Sequence, residues 1–295
     1  MHHVRVLIFF PMALFLACQG NAPASRTGFA DVNGTRLYYE VSGQGEPLVL
    51  IHGFSFDSSC WDDQMEALIS RFEVLRYDLR GFGKSALPEP GIPYSHTDDL
   101  VALLDLFQME KIHLLGHSYG GRLVFDFVMD HPDRVLSLLL PEAAISIRGG
   151  PESVELEAWI GNTWGTGAEE GVEAARTVWL KGSPFAPALR NPKSAAKVKQ
   201  MVERYSGWHW ENRDPAVSFV SYAPEQLRAI KAPSLIILGL LNPPYYHEIA
   251  SIQHEHIPNS TLVTMKGVGH ALNIEAPDEF NCIVIEFLET VTSRR

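Results

Sequence analysis

The sequence predicts an α/β fold, a mostly parallel sheet covered by helices and interrupted once by an inserted helical segment. Three observations carry this. β-type runs alternate with segments of helical spacing, first over residues 35–140 and again over 234–291, and such alternation builds parallel sheets. Some of those runs, PLVLI and the LIIL of SLIIL, are continuously apolar, as a strand buried on both faces requires. Between the two stretches, residues 148–227 are helical in pattern, irregular and rich in aromatics; that is too long for a loop inside a domain.

The elements follow in order. Thr35–Val41 (TRLYYEV) alternates and is β-rich, and Pro47–Ile51 is the first buried strand. Asp57–Ile69 has helical spacing at Trp61, Met65 and Leu68. Phe72–Tyr77 is a strand, and Thr97–Phe107 is a helix with Leu100, Leu103, Leu104 and Phe107 on one face. Lys111–Leu115 is a strand, Gly120–Met129 a helix and Val135–Leu140 a strand. After the insertion come a strand at Ser234–Leu238, a helix around Tyr245–His254, a strand at Leu262–Met265 and a last helix at Asp278–Val291. The expected organisation is a leader over 1–24, a core from 25–147 and 228–295, and a helical cap over 148–227.

Apolar residues make up 46% of the 295 and charged residues 20%, enough for a sizeable core. The formal net charge of −11 argues against a nucleic-acid partner. At the N-terminus, a short basic start precedes the apolar run Val6–Ala17. That run is too short to span a bilayer but suits a signal peptide, so export is expected. Cys18 follows directly. Leu14–Cys18 (LFLAC) resembles a bacterial lipobox, with Phe15 departing from the usual Leu. Membrane attachment through a lipid on Cys18 is therefore expected; the competing reading is a plain signal peptide cut after Ala22-Pro23-Ala24. Cys60 and Cys282 read as small buried side chains, and no Cys/His spacing points to zinc.

The chemistry concentrates in three places. Gly116-His117-Ser118-Tyr119-Gly120 follows one strand and opens one helix, the context in which G-x-S-x-G forms a nucleophile elbow. Small residues at 116 and 120 let the turn close tightly and push the Ser118 hydroxyl into the open. The Tyr119 amide, at the helix N-terminus, is placed to donate to a developing oxyanion. His52-Gly53-Phe54 follows PLVLI; the Phe54 amide is the candidate second donor, while the His52 side chain is read as a packing or turn element. Gly267-Val268-Gly269-His270 follows the last strand, and a histidine on that glycine-flanked loop can reach back to Ser118 as its base.

These residues, with Asp78-Leu79-Arg80-Gly81-Phe82-Gly83-Lys84-Ser85 and Gly121, make the chain resemble the α/β-hydrolase superfamily over essentially all of its mature length. The resemblance implies an eight-stranded, mostly parallel sheet and a cap over the active site. It also implies esters, lactones and related acyl compounds as substrates. The Asp78–Ser85 stretch is in such proteins mainly a structured turn, and Asp78 is given no catalytic role.

One position departs from the pattern. The triad needs a carboxylate to fix the imidazole tautomer and stabilise the imidazolium. Relatives carry it after the strand equivalent to Ser234–Leu238, where this chain has Gly239-Leu240-Leu241-Asn242. Glu142, at the end of the strand Val135–Leu140, is the candidate acid, because the resemblance implies that these two strands are neighbours. Some relatives, such as haloalkane dehalogenases, place the acid there. Two other readings stay open: Glu142 as a cap-initiating residue, and Asn242 as the group orienting His270. The expected activity is a cofactor- and metal-independent serine esterase or lactonase, with a hydrophobic or aromatic substrate suited to the aromatic cap. Its rivals are a slow or non-catalytic binding homologue and a C–C hydrolase or perhydrolase. Ser118 disfavours dehalogenase and epoxide hydrolase chemistry, which uses aspartate as nucleophile.

Overall fold

A computed structural model describes residues 25–217 and 220–295. The leader and Cys18 lie outside the described residues. The described residues hold ten strands: β1 (Arg26–Val32), β2 (Thr35–Gly43), β3 (Glu46–Ile51), β4 (Phe72–Tyr77), β5 (Ile112–Gly116), β6 (Val135–Pro141), β7 (Ser146–Ile147), β8 (Ser221–Tyr222), β9 (Ser234–Gly239) and β10 (Ser260–Met265). Eight of them form one sheet in the order β1-β2-β4-β3-β5-β6-β9-β10. β1 and β2 run antiparallel to their neighbours, and every other pairing is parallel. β7 and β8 pair separately.

The apolar runs sit where their composition requires. Leu48, Val49, Leu50, Ile51, Leu114 and Leu115 are sealed from solvent in the middle of the sheet, because helices cover both faces of a parallel sheet. The helices are α1 (Asp62–Ile69), α2 (His96–Leu106), α3 (Tyr119–Asp130), α4 (Val154–Glu170), α5 (Val172–Trp179), α6 (Ala186–Arg190), α7 (Pro192–Arg204), α8 (Trp208–Glu211), α9 (Pro244–His256), α10 (Leu272–Glu275) and α11 (Pro277–Ser293). The helical segment from α4 to α8 lies in the chain between β7 and β8. Among the described residues, no helix is long and apolar enough to cross a membrane.

One expectation needs correction, and one strand of the main sheet was not expected. Cys282 is exposed, not buried, whereas Cys60 is buried. The inward face of α11 runs through Phe280, Val284, Leu288 and Val291, a 3.6-residue period that turns position 282 to solvent. β1 has no counterpart in the expected elements. It is an edge strand whose only buried residue is Ala30, so it lacks the inside–outside alternation that marks a strand.

The Asp78 turn is structural. Its carboxylate accepts the Ser58 and Lys84 amides at 2.7 and 2.8 Å. His52 is likewise spent on the backbone: Nδ1–H donates to the Gly53 carbonyl at 2.8 Å and Nε2 accepts the Leu79 amide at 3.0 Å.

Candidate active site

Ser118 stands between β5 and α3 with φ 50° and ψ −113°, a left-handed conformation that costs a non-glycine residue about 1–3 kcal/mol. The surroundings hold it there. The Ser118 amide donates to the Pro141 carbonyl at 3.3 Å, and the Ser118 carbonyl accepts the Gly121 and Ala144 amides at 2.8 and 2.9 Å. Glycine is required on both sides. A Cβ at Gly116 would meet the Gly120 carbonyl oxygen at 2.5 Å, and one at Gly120 would meet the Ile51 carbonyl oxygen at 2.6 Å. The strand-to-helix turn thus closes only because two side chains are missing.

His270 follows β10. Its Nε2 lies 2.8 Å from Ser118 Oγ, although the residues are 152 apart in the chain. The loop is fixed at several points. The Glu275 carboxylate accepts the Gly269 amide at 3.0 Å and the Ala271 amide at 3.2 Å. His117 Nε2–H donates to the His270 carbonyl at 2.7 Å. Neither Glu275 nor His117 stood out in the sequence. His117 occupies a free position of its motif, and Glu275 gains its role only from the return of α10 against the loop.

Behind His270 is Glu142, buried at the end of β6, also with a left-handed φ of 50°. Its Oε1 accepts the Gly239 amide. Its Oε2 is 3.9 Å from His270 Nδ1. That separation exceeds a hydrogen bond, but both atoms are buried and neither makes a hydrogen bond elsewhere among the described residues. A closing shift of about 1 Å brings them into contact, and such bonds commonly tighten only when substrate is bound. The other candidate, Asn242, is also buried. Its amide nitrogen and oxygen make no hydrogen bond among the described residues, and its backbone serves the turn by donating to the Gly239 carbonyl at 3.1 Å. It is near enough to favour charge on Glu142.

Burial disfavours charge on both groups. It holds the His270 imidazole well below its ordinary value, with His117 adding a smaller push in the same direction. It also lifts the Glu142 carboxyl well above the usual range, against the opposing Gly239 and Asn242 contacts. A neutral imidazole hydrogen-bonded to a hydroxyl is able to take its proton, and the carboxylate behind it would stabilise the imidazolium so formed.

Ser118 and His270 open onto a cavity of ≈ 390 Å³. Phe54 and Tyr119 line it beside the serine. The aromatics of residues 148–227 divide. Trp159, Trp164, Trp179 and Phe185 line the cavity; Tyr205, Trp208 and Trp210 are buried in packing instead. Arg122, Tyr245 and Tyr246 also line the cavity, and no motif marks them. Arg122 is one helical turn beyond Ser118 on α3, which brings it to the same face.

Residues 48–281 match the profile of the alpha/beta hydrolase family. The chain belongs to that family. This α/β-hydrolase is 26% identical over 262 residues to the pimeloyl-[acyl-carrier protein] methyl ester esterase of Aliivibrio salmonicida, covering 86% of this chain and 97% of that one. Among solved structures it is similar to an enol-lactonase from Burkholderia xenovorans LB400, with a TM-score of 0.71 and 27% identity over 89% of this chain and 100% of that one. It is also similar to a bromoperoxidase from Bacillus anthracis, with a TM-score of 0.74 and 26% identity over 90% of this chain and all of that one.

Proposed function

We propose that this α/β-hydrolase is a serine hydrolase that cleaves carboxylic esters or lactones through an acyl-enzyme. The observation that carries the reading is the 2.8 Å contact between Ser118 Oγ and His270 Nε2 at the floor of a largely apolar cavity. Ser118 Oγ attacks the carbonyl carbon as its proton passes to His270 Nε2. The amides of Phe54 and Tyr119 take the charge that develops on the carbonyl oxygen. Collapse breaks the acyl–oxygen bond, and the leaving alkoxide takes the proton from His270; in a lactone it stays tethered to the acyl group. Water then attacks the acyl carbon, gives its proton to His270, and the acid leaves as Ser118 is restored. Glu142 holds His270 throughout. Indole and phenyl walls favour a hydrophobic or aromatic substrate. The names of the esterase and lactonase relatives support the same class.

The test is labelling with a fluorophosphonate, which reacts with an activated serine and needs no known substrate. Wild type should be labelled at Ser118 and Ser118→Ala not at all, with peptide mass mapping as readout. Labelling that persists in Ser118→Ala would remove the basis of this reading.

Export with lipidation at Cys18 is a separate proposal and rests on the leader sequence alone. Intact mass of the mature chain checks it. A diacylglyceryl or triacyl adduct on a chain beginning at Cys18 is expected; an unmodified chain beginning after Ala24 rules it out.

A further inference from the structure

We propose that the helical segment between β7 and β8 does more than shape the cavity: through Trp179 it positions the Phe54 amide as an oxyanion donor. The inference rests on the serine-hydrolase reading above.

Phe54 and Ser55 are the central residues of a four-residue turn closed by the Phe56 amide donating to the Gly53 carbonyl at 3.2 Å. Ser55 has a φ of 61°. The third place of such a turn, when φ is positive, is normally filled by glycine or asparagine. Serine is held there by one specific contact. Trp179 Nε1–H donates to Ser55 Oγ at 2.8 Å, and both residues are buried. The indole is itself immobilised. It stacks on Trp159 at 4.1 Å between centroids and 18° between planes, and Trp159 Nε1–H donates to the Val178 and Trp179 carbonyls at 3.2 Å.

The Phe54 side chain is gripped by the same segment. Its ring centroid lies 5.2 Å from Trp164, 5.3 Å from Trp179, 5.5 Å from Tyr205 and 5.6 Å from His209. From the core side, Phe82 closes the cage at 5.4 Å. The residue that carries the donor is thus clamped at its ring, and its successor is clamped at its hydroxyl. Both clamps come from α4, α5 and the region around α8. An oxyanion donor works by being fixed before charge develops, and a displacement of about 1 Å in such a group costs up to 10²-fold in rate. Trp179 and Ser55 are therefore positioning residues, acting through Phe54.

Ser55 separates positioning from substrate contact, because it is absent from the cavity wall whereas Trp179 is part of it. The experiment measures phosphonylation of Ser118 by a fluorophosphonate, resolving the maximal rate (kinact) from the half-saturating concentration (KI). Ser55→Ala, Trp179→Phe and the double variant are compared, with thermal unfolding in parallel. Ser55→Gly, which suits the left-handed turn and also lacks the hydroxyl, stands in should the alanine variant not fold. The expected result is a fall in kinact of about tenfold or more for each single variant. KI of the Ser55 variant should stay within about twofold, and the double variant should be no slower than the slower single one by more than about threefold, as for residues acting through one contact. A wild-type kinact in the Ser55 variants, with only their melting temperature lowered, would show that the contact merely fastens the insertion to the core. Losses that multiply fully in the double variant would show that the two residues act separately. A wild-type protein that is not labelled would sink the hydrolase reading itself; labelled wild type with unaltered Ser55 variants would sink only this inference.

Discussion

Glu142→Gln is expected to slow the reaction of Ser118 by about 10⁴, the size of the equivalent acid-to-amide exchange in a serine protease, while Asn242→Ala changes it by less than about tenfold. The replacement is isosteric, and glutamine keeps an oxygen to accept the Gly239 amide that Glu142 Oε1 now accepts. What it loses is the charge 3.9 Å from His270 Nδ1. Without it the imidazolium formed as Ser118 gives up its proton has no counter-charge, and an NH₂ turned toward the ring selects the wrong tautomer. Stability should not fall, because burial already opposes ionisation of this carboxyl and a neutral amide escapes that penalty. Phosphonylation kinetics and thermal unfolding on the same samples measure both halves. A near-normal rate for Glu142→Gln together with a large loss for Asn242→Ala would transfer the acid-side role to the turn after β9.

A second large effect concerns acid. His96 is pushed down to about 3, and His117 and His209 to about 4, in each case chiefly by burial. Each is thus neutral in the fold at a pH where the unfolded chain binds a proton. The unfolded state holds more protons below the ordinary imidazole value, so stability rises with pH and is lost as pH falls through 6.5. At pH 5 one such histidine withdraws about 2 kcal/mol, and three withdraw about 6. His52 and His270 are lowered too and act in the same direction. Glu142 and Glu275, raised by burial, act in the opposite one. Urea unfolding between pH 7.5 and 5 should therefore show a free energy falling by several kcal/mol, most of it before the surface carboxylates titrate. A flat profile over that range would mean that these rings are solvated or paired in solution. Activity should be less sensitive near neutrality: with His270 held below its ordinary value, its acid limb lies below pH 6.5.

Much of the architecture was legible because it is written in local runs. PLVLI, VLSLLL and SLIIL carry their own burial on both faces, and the spacing of Leu100, Leu103 and Leu104 carries the inner face of α2. β1 was not legible, since an edge strand with only Ala30 buried has no periodic signature. Cys282 was misplaced for a related reason: its neighbours on α11 are also apolar, and composition does not tell which member of an apolar cluster faces out. In the site, Ser118 was visible from the glycines its turn demands, and His270 from its glycine-flanked loop. Glu275, His117 and Arg122 were invisible, because the motifs beside them leave these positions free and their roles arise only where loop, elbow and α10 meet.

The sequence alone determined the order of elements, the elbow and the histidine loop, since each depends on residues within a few positions of one another. Only the tertiary structure brought a carboxyl to within 3.9 Å of the His270 ring. Glu142 and Gly239, 97 residues apart, meet because β6 and β9 are neighbours in the sheet. Strand order arises from the packing of the whole sheet, which no short stretch of chain encodes. The same holds for Trp179 and Ser55, 124 residues apart: their hydrogen bond exists only once a helical insertion has settled against a turn that the first half of the chain had already made.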